Sequence, residues 1–90
     1  MRHPYPNSDA DESMALLLIG WIVADLARAE RMLALTGLTP DDLRAGLGNR
    51  VTLCALMDFV INHEPDLIAC AEALEVRPAD IIAVRGRIGR

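Results

Sequence analysis

Few side chains in this sequence are of the types that metal sites and nucleophilic enzymes use. The chain has two histidines, His3 and His63, and two cysteines, Cys54 and Cys70. Zinc sites need four ligands at characteristic spacings, and these four residues do not have them. A catalytic thiol needs an electropositive, partly exposed setting, whereas both cysteines fall on apolar faces of predicted helices. We therefore expect core cysteines and predict neither a metal nor a cofactor.

Carboxylates are the remaining candidates for acid–base chemistry. Asp58 lies between Met57 and Phe59 in an apolar stretch. It would lie at the solvent edge or pair with an arginine; the alternative is a buried carboxylate with a perturbed pKa. His63 and Glu64 mark a helix–helix junction, where polar side chains can cap free amides. The proximity of Asp58 to this pair keeps an enzyme as a third hypothesis, but we predict no catalytic residue.

Composition limits the class of protein. With 90 residues, 52% of them hydrophobic, the chain can form one small domain with a packed core. A formal charge of −4 makes it a poor counterion for nucleic acid. Two cysteines are too few for a disulfide scaffold. No signal peptide is visible, and the apolar run over 14–24 is shorter than the roughly 20 residues that span a bilayer. We expect a cytoplasmic protein.

Local signals predict an all-α fold, a compact bundle of five to six short helices. Residues 1–9 are predicted to be a flexible tail and residues 10–88 a single helical domain. The predicted helices are about 10–24, 26–36, a short third helix that begins at Pro40 and is closed by Gly46 and Gly48, then 50–62, 65–75 and 78–86. The predicted N-caps are Asp9 or Asp11, Asp25, Thr39 and Asn49. Thr39, Pro40 and Asp42 predict a capping box, Gly37 ends the second helix, and Pro65 and Pro78 are predicted at the first positions of the last two helices.

The first predicted helix has almost no polar face after its first turn. A helix that is apolar all round is buried on several sides, so it is either the central helix or part of a dimer interface. Trp21 would then fill the centre of the bundle or belong to a partner surface together with Leu17 and Leu18. Both alternatives remain open at the level of the sequence.

Residues 67–90 support an alternative function. Two predicted helices joined at residues 75–77 form a helix-turn-helix-like corner, whose second helix would enter the DNA major groove. Segment 77–90 has four arginines against one aspartate, a local charge of +3. The DNA contacts would be Arg77, Arg85, Arg87 and Arg90. Asp80 at the start of that helix, and the lack of Asn, Gln, Ser and Thr along it, favour instead a solvated basic end.

Three segments resemble a short family of uncharacterised alphaproteobacterial proteins. These segments are Arg31–Arg44, Leu56–Glu64 and Ala73–Pro78. The resemblance covers roughly residues 12–88, and its most specific part is the Leu-Ala-Leu-Thr-Gly-Leu block that ends at Leu38. It implies a small, all-helical, cytoplasmic bacterial protein of unknown function, and it assigns no catalytic or binding residue. The chain differs from the family pattern at Glu75, where a glycine is expected.

Together these observations predict a non-enzymatic module for protein–protein interaction or an adaptor, which works as a homodimer or binds an unknown protein. The motivation is the excess of apolar helix surface. A small DNA-binding regulator that uses residues 67–90 is the alternative.

Overall fold

The computed structural model describes the backbone of residues 8–89 and the side chains of residues 10–89. The helices are α1 (Ser8–Val23), α2 (Leu26–Thr36), α3 (Pro40–Gly46), α4 (Arg50–Ile61), α5 (Glu64–Leu74) and α6 (Pro78–Ile88). Within 8–89 there is no strand, so the predicted all-α fold is confirmed. Helix α1 starts two residues earlier than predicted, inside the segment predicted as a tail. The rest of that segment, residues 1–7, and Arg90 lie outside the described residues.

The ends of α2 and α3 follow from capping side chains. Asp25 accepts a hydrogen bond from the backbone N–H of Arg28 at 2.9 Å, as an N-cap does. Gly37 ends α2 in the left-handed conformation, with φ 75°, which costs a glycine little. At α3, the N–H of Asp42 donates to the Thr39 hydroxyl at 3.0 Å, and the N–H of Thr39 donates to the Asp42 carboxylate at 3.1 Å. The predicted capping box is confirmed.

The predicted N-cap of α1 is wrong. Asp9 and Asp11 lie inside α1, as its second and fourth residues, so neither precedes the helix as an N-cap does. His63 occupies the N-cap position of α5, but its side chain makes no capping hydrogen bond in the described structure. By contrast, Asn49 caps α4 through the N–H of Val51 at 2.8 Å, as predicted.

The turn between α5 and α6 is tight although it has no glycine. Glu75 ends α5 in the left-handed conformation, with φ 58° and ψ 42°. The N–H of Val76 donates to the carbonyl of Ala71 at 2.9 Å, and the N–H of Glu75 donates to the carbonyl of Glu72 at 3.2 Å. This is the Schellman pattern that usually has glycine at the left-handed position. The difference from the family pattern at Glu75 thus leaves the turn intact.

Helix α4 is the centre of the bundle. It contacts all five other helices, and its buried side chains form much of the core. They are Leu53, Leu56, Met57, Phe59 and Val60. Helix α1 packs against α2, α4, α5 and α6 through one face only. The interpretation of α1 as the central helix is therefore wrong, because its opposite face is uncovered.

The 3.6-residue period predicts one inward stripe on each of the last two helices, and each stripe needs one correction. The predicted stripes are Leu67, Ile68, Ala71 and Leu74 on α5, and Ile81, Ile82, Val84 and Ile88 on α6. Leu67 and Ala71 of α5 are buried, as are Ile81, Val84 and Ile88 of α6. Ile68 and Ile82, which were expected to face inward, are about half exposed. Each isoleucine directly follows a buried residue, and one step along a helix turns the side chain by about 100°.

Candidate functional site

The outer face of α1 is apolar and uncovered. Leu16 is 48% exposed, Leu17 63% and Val23 48%, and Gly20 and Ala24 are exposed with them. Spacings of three, four and seven residues place these five side chains on one stripe along the helix. The sequence from Ser13 to Ala24 has no charged residue. An exposed apolar helix face of this kind is typical of a protein-interaction surface.

Gly20 lies at the centre of this stripe and forms a notch in it. In the described part of the chain, no other group comes within 4 Å of the position that a Cβ would occupy. Glycine inside a helix costs about 1 kcal/mol relative to alanine. The fold of the single chain therefore offers no packing reason for a glycine at this position. Leu16 and Leu17 project one turn before the notch, and Val23 and Ala24 one turn after it.

The two leucines expected beside Trp21 in a partner surface lie in different environments. Leu17 belongs to the exposed stripe. Leu18 is fully buried and packs in the core with Ile22 and Leu56. The prediction that Leu18 belongs to a partner surface is therefore wrong. Successive side chains of a helix point about 100° apart, so Leu18 lies on the covered side of α1 although Leu17 is exposed.

Trp21 lies at the edge between the core and the exposed stripe. It is partly buried and packs against the core cluster, while the guanidinium of Arg28 stacks over its ring, 3.7 Å from the centroid. Nη2 of Arg28 also donates a hydrogen bond to the Trp21 carbonyl, in the last turn of α1. The Nε of Arg28 is buried and has no hydrogen-bond partner among the described residues. Trp21 therefore packs between α1 and α2 and does not fill the centre of the bundle.

The arginines of α6 form ion pairs within the fold. Arg85 donates two hydrogen bonds to Asp58, at 2.8 and 3.1 Å, so the alternative in which Asp58 pairs with an arginine is confirmed. Arg87 donates two to Asp11 in α1, at 2.8 and 3.0 Å. These hydrogen bonds raise the pKa of both guanidinium groups, so both stay charged. Each of these two guanidinium groups donates two of its N–H groups to one carboxylate.

The remaining arginines of the DNA hypothesis add little to a groove-binding surface. Arg77 pairs with Asp80 at 3.0 Å, and its hydrogen bonds hold the pKa of that carboxyl below its usual range. Arg90 lies outside the described residues. Apart from Pro78 and the paired Arg87, the exposed residues along α6 are Ala79, Ile82, Ala83 and Gly86. None of these four residues has a side-chain group that can hydrogen-bond to a base edge.

An open groove of about 430 Å³ lies between α2 and α4. It is lined by Arg31, Leu35, Thr36, Ala55, Asp58, Phe59, Asn62 and His63. The groove brings together Asp58 and His63, which sequence proximity had suggested. The charged side chains that line the groove already have partners. Asp58 accepts a hydrogen bond from Arg85, and Arg31 donates one to Asp66. The Arg31 guanidinium also lies over the Phe59 ring. We assign no ligand to this groove.

Both cysteines are free thiols. Cys70 is fully buried in the core, as predicted, and Cys54 is half-buried against it. Burial raises the pKa of the Cys70 thiol to about 11; the positive charge of Arg28 opposes the shift and the negative charge of Asp66 adds to it. A thiol with this pKa is neutral at physiological pH and weakly nucleophilic. Among the described residues, no three side chains of His, Cys, Asp or Glu are grouped as metal ligands would be.

Residues 8–89 match the model of a protein family described as "Protein of unknown function (DUF3572)". The chain belongs to this family. The match covers all six helices, so the uncovered face of α1 lies within the family domain. No curated protein and no solved structure matches the chain. In the part of this DUF3572 chain that the structure describes, no helix has both the length and the apolarity to cross a bilayer.

Two buried carboxylates of this DUF3572 protein were not singled out by sequence analysis as paired residues. Asp11 and Asp66 are almost fully buried, and each accepts from an arginine on another helix. Their partners, Arg87 and Arg31, are 76 and 35 residues away. Both aspartates lie in the first turn of a helix, where acidic residues are common because the helix dipole favours negative charge there. The sequence carries no signal that separates such a residue from one with a distant partner.

Proposed function

We propose that this protein is a non-catalytic protein-interaction module, which binds its partner through the outer face of α1. The observation that carries the proposal is the uncovered stripe of Leu16, Leu17, Gly20, Val23 and Ala24. A small domain keeps its apolar side chains in the core where it can, and a continuous exposed stripe on one helix is typical of a binding surface. A cytoplasmic location in an alphaproteobacterium is part of the proposal.

The arrangement of the polar side chains supports this surface over others. Arg77, Arg85 and Arg87 pair with Asp80, Asp58 and Asp11, so the charge of each of these arginines is compensated locally. The thiol of Cys70 is buried and its pKa is raised. These ion pairs and this thiol therefore belong to the fold, whereas the apolar stripe of α1 has no packing role in the folded chain. We do not propose DNA binding, because no specific contact favours it.

A photo-crosslinking residue at position 17 tests the proposal in cells. We expect a discrete adduct from position 17, because a partner would cover this side chain. The matched control is position 51, where Val51 is 77% exposed on a different helix, α4. The adduct should disappear when Leu16→Arg is added to the same chain, since the arginine would be forced into an apolar contact. Equal adducts from positions 17 and 51, or none from position 17, would contradict the proposal.

A further inference from the structure

We infer that the partner of the α1 face is a second copy of this chain, which packs its own α1 antiparallel against the first. The inference rests on the proposed function and names its partner. It is carried by the shape of the stripe, in which a projecting side chain and a notch lie one turn apart on the same face. Leu17 projects into solvent, and Gly20 has open space beside it. Such a face is complementary to itself.

A two-fold axis between the copies uses both features twice. In a two-fold interface every contact occurs twice: if one residue of the first copy touches a second residue of the other copy, the same two residues also touch with the copies exchanged. With two antiparallel α1 helices crossing between positions 17 and 20, Leu17 of each copy fills the notch at Gly20 of the other. Large side chains that face small ones allow helices to pack at the close distances of about 8–10 Å seen in bundles. The glycine that the single chain does not explain then has a packing role.

Charge favours the antiparallel order. The stripe itself is uncharged from Ser13 to Ala24, so no ion is desolvated when two copies meet. Glu12 lies at the N-terminal end of the stripe and is exposed. A parallel pair would place the two Glu12 carboxylates together, whereas an antiparallel pair keeps them at opposite ends. The antiparallel order also opposes the two helix dipoles.

The size of the contact sets the strength that we expect. Helix α1 has 16 residues and is therefore about 24 Å long. A single pair of such helices covers less surface than the roughly 800 Å² per partner of a standard interface, so the dimer should be a weak one with a micromolar Kd. Each copy has a formal charge of −4, and salt screens their repulsion. Association should therefore become tighter as the salt concentration rises.

Sedimentation equilibrium of the full chain, from 5 µM to 1 mM, tests the inference. We expect a monomer–dimer equilibrium for the wild type. Gly20→Leu should weaken the dimer at least tenfold, because it fills the notch from its own side. Gly86→Leu is the matched control, since Gly86 is also an exposed helical glycine with open space beside it. Leu17→Arg, with Val51→Arg as its control, repeats the test through the projecting side chain.

The outcomes separate cleanly. Dimers that the two α1 variants weaken and the two controls leave unchanged would support the inference. A wild type that stays monomeric to 1 mM would overturn it, as would a dimer insensitive to Gly20→Leu and Leu17→Arg or equally sensitive to the controls. Circular dichroism of each variant establishes that the fold is retained. A position-17 crosslink to a different protein, together with a monomeric wild type, would overturn the second copy and retain the proposed function.

Discussion

Arg87 and Asp11 join α6 to α1 through two parallel hydrogen bonds, at 2.8 and 3.0 Å. The Asp11 side chain is 9% exposed and that of Arg87 43%, so the carboxylate has lost most of its water and the guanidinium keeps part of it. A desolvated carboxylate needs a charged partner. The pair therefore fixes the first turn of α1 on α6 and leaves the opposite face of α1 outward.

We expect Arg87→Ala to destabilise the protein more than Arg77→Ala does. The first change leaves Asp11 buried without its partner, while the second frees the more exposed Asp80. Urea unfolding of both variants measures the difference. In the double variant Asp11→Ala/Arg87→Ala the loss should be smaller than the sum of the two single losses, because the pair acts as a unit. Equal losses from the two arginine variants would show that Asp11 does not depend on Arg87.

Sequence reasoning predicted the parts of this fold that depend on neighbouring residues. The capping box of Thr39 and Asp42, the cap at Asp25 and the turn at Gly37 each depend on contacts within a few positions. Helix existence follows from such signals together with the 3.6-residue period. Ion pairs between helices depend on tertiary packing, so the partner of Asp11 was not predictable.

The same limit explains the uncertainty about α1. A helix with apolar residues on every side has no pattern that shows which side the bundle covers. Leu17 and Leu18 have the same side chain and adjacent positions, yet only Leu18 is buried. The sequence therefore limited α1 to a central helix or an interface, and only the packing of α2, α4, α5 and α6 against it decided which face stays exposed.

Alanine variants of these two leucines should differ in stability. Leu18→Ala removes a fully buried side chain and should lower the free energy of unfolding by about 3 kcal/mol. Leu17→Ala removes a side chain that is mostly in solvent, so we expect a loss below about 1 kcal/mol at concentrations where the protein is monomeric. Thermal or urea unfolding measures both, at a protein concentration well below the Kd of the dimer. Similar losses from the two variants would mean that the buried face of α1 is assigned incorrectly.

Replacing Glu75 by glycine should stabilise the protein. Glu75 holds a left-handed conformation that costs a residue with a Cβ about 1 kcal/mol relative to glycine, and its side chain is exposed. Glu75→Gly should therefore raise the free energy of unfolding by up to about 1 kcal/mol, reduced by the greater freedom of glycine in the unfolded chain. Glu75→Ala is the control, because it removes the carboxylate and keeps the Cβ. If alanine stabilises as much as glycine, the backbone conformation is not the cause.

Duplex DNA should leave the C-terminal helix unaffected at physiological salt. Arg85 and Arg87 are held by Asp58 and Asp11, and the exposed side chains of Ala79, Ile82 and Ala83 cannot hydrogen-bond to base edges. We expect no amide chemical-shift changes in residues 77–89 when a mixed-sequence duplex is added. Chemical-shift changes confined to this segment, with an affinity that falls steeply as the salt concentration rises, would instead support DNA binding through the helix-turn-helix-like corner.

The thiol of Cys70 should make stability depend on pH in the alkaline range. Its pKa is raised from 9.0 to about 11 in the folded protein, first by burial. The unfolded chain therefore releases this proton at lower pH than the folded chain, and the stabilisation is complete below about pH 9 and lost as the pH rises toward 11. Between these limits the wild type should lose about 2 kcal/mol more than Cys70→Ala does, as measured by urea unfolding at each pH. An identical pH dependence in the two proteins would mean that the Cys70 thiol is not desolvated. In the native protein at pH 8, iodoacetamide should then modify the half-buried Cys54 well before Cys70.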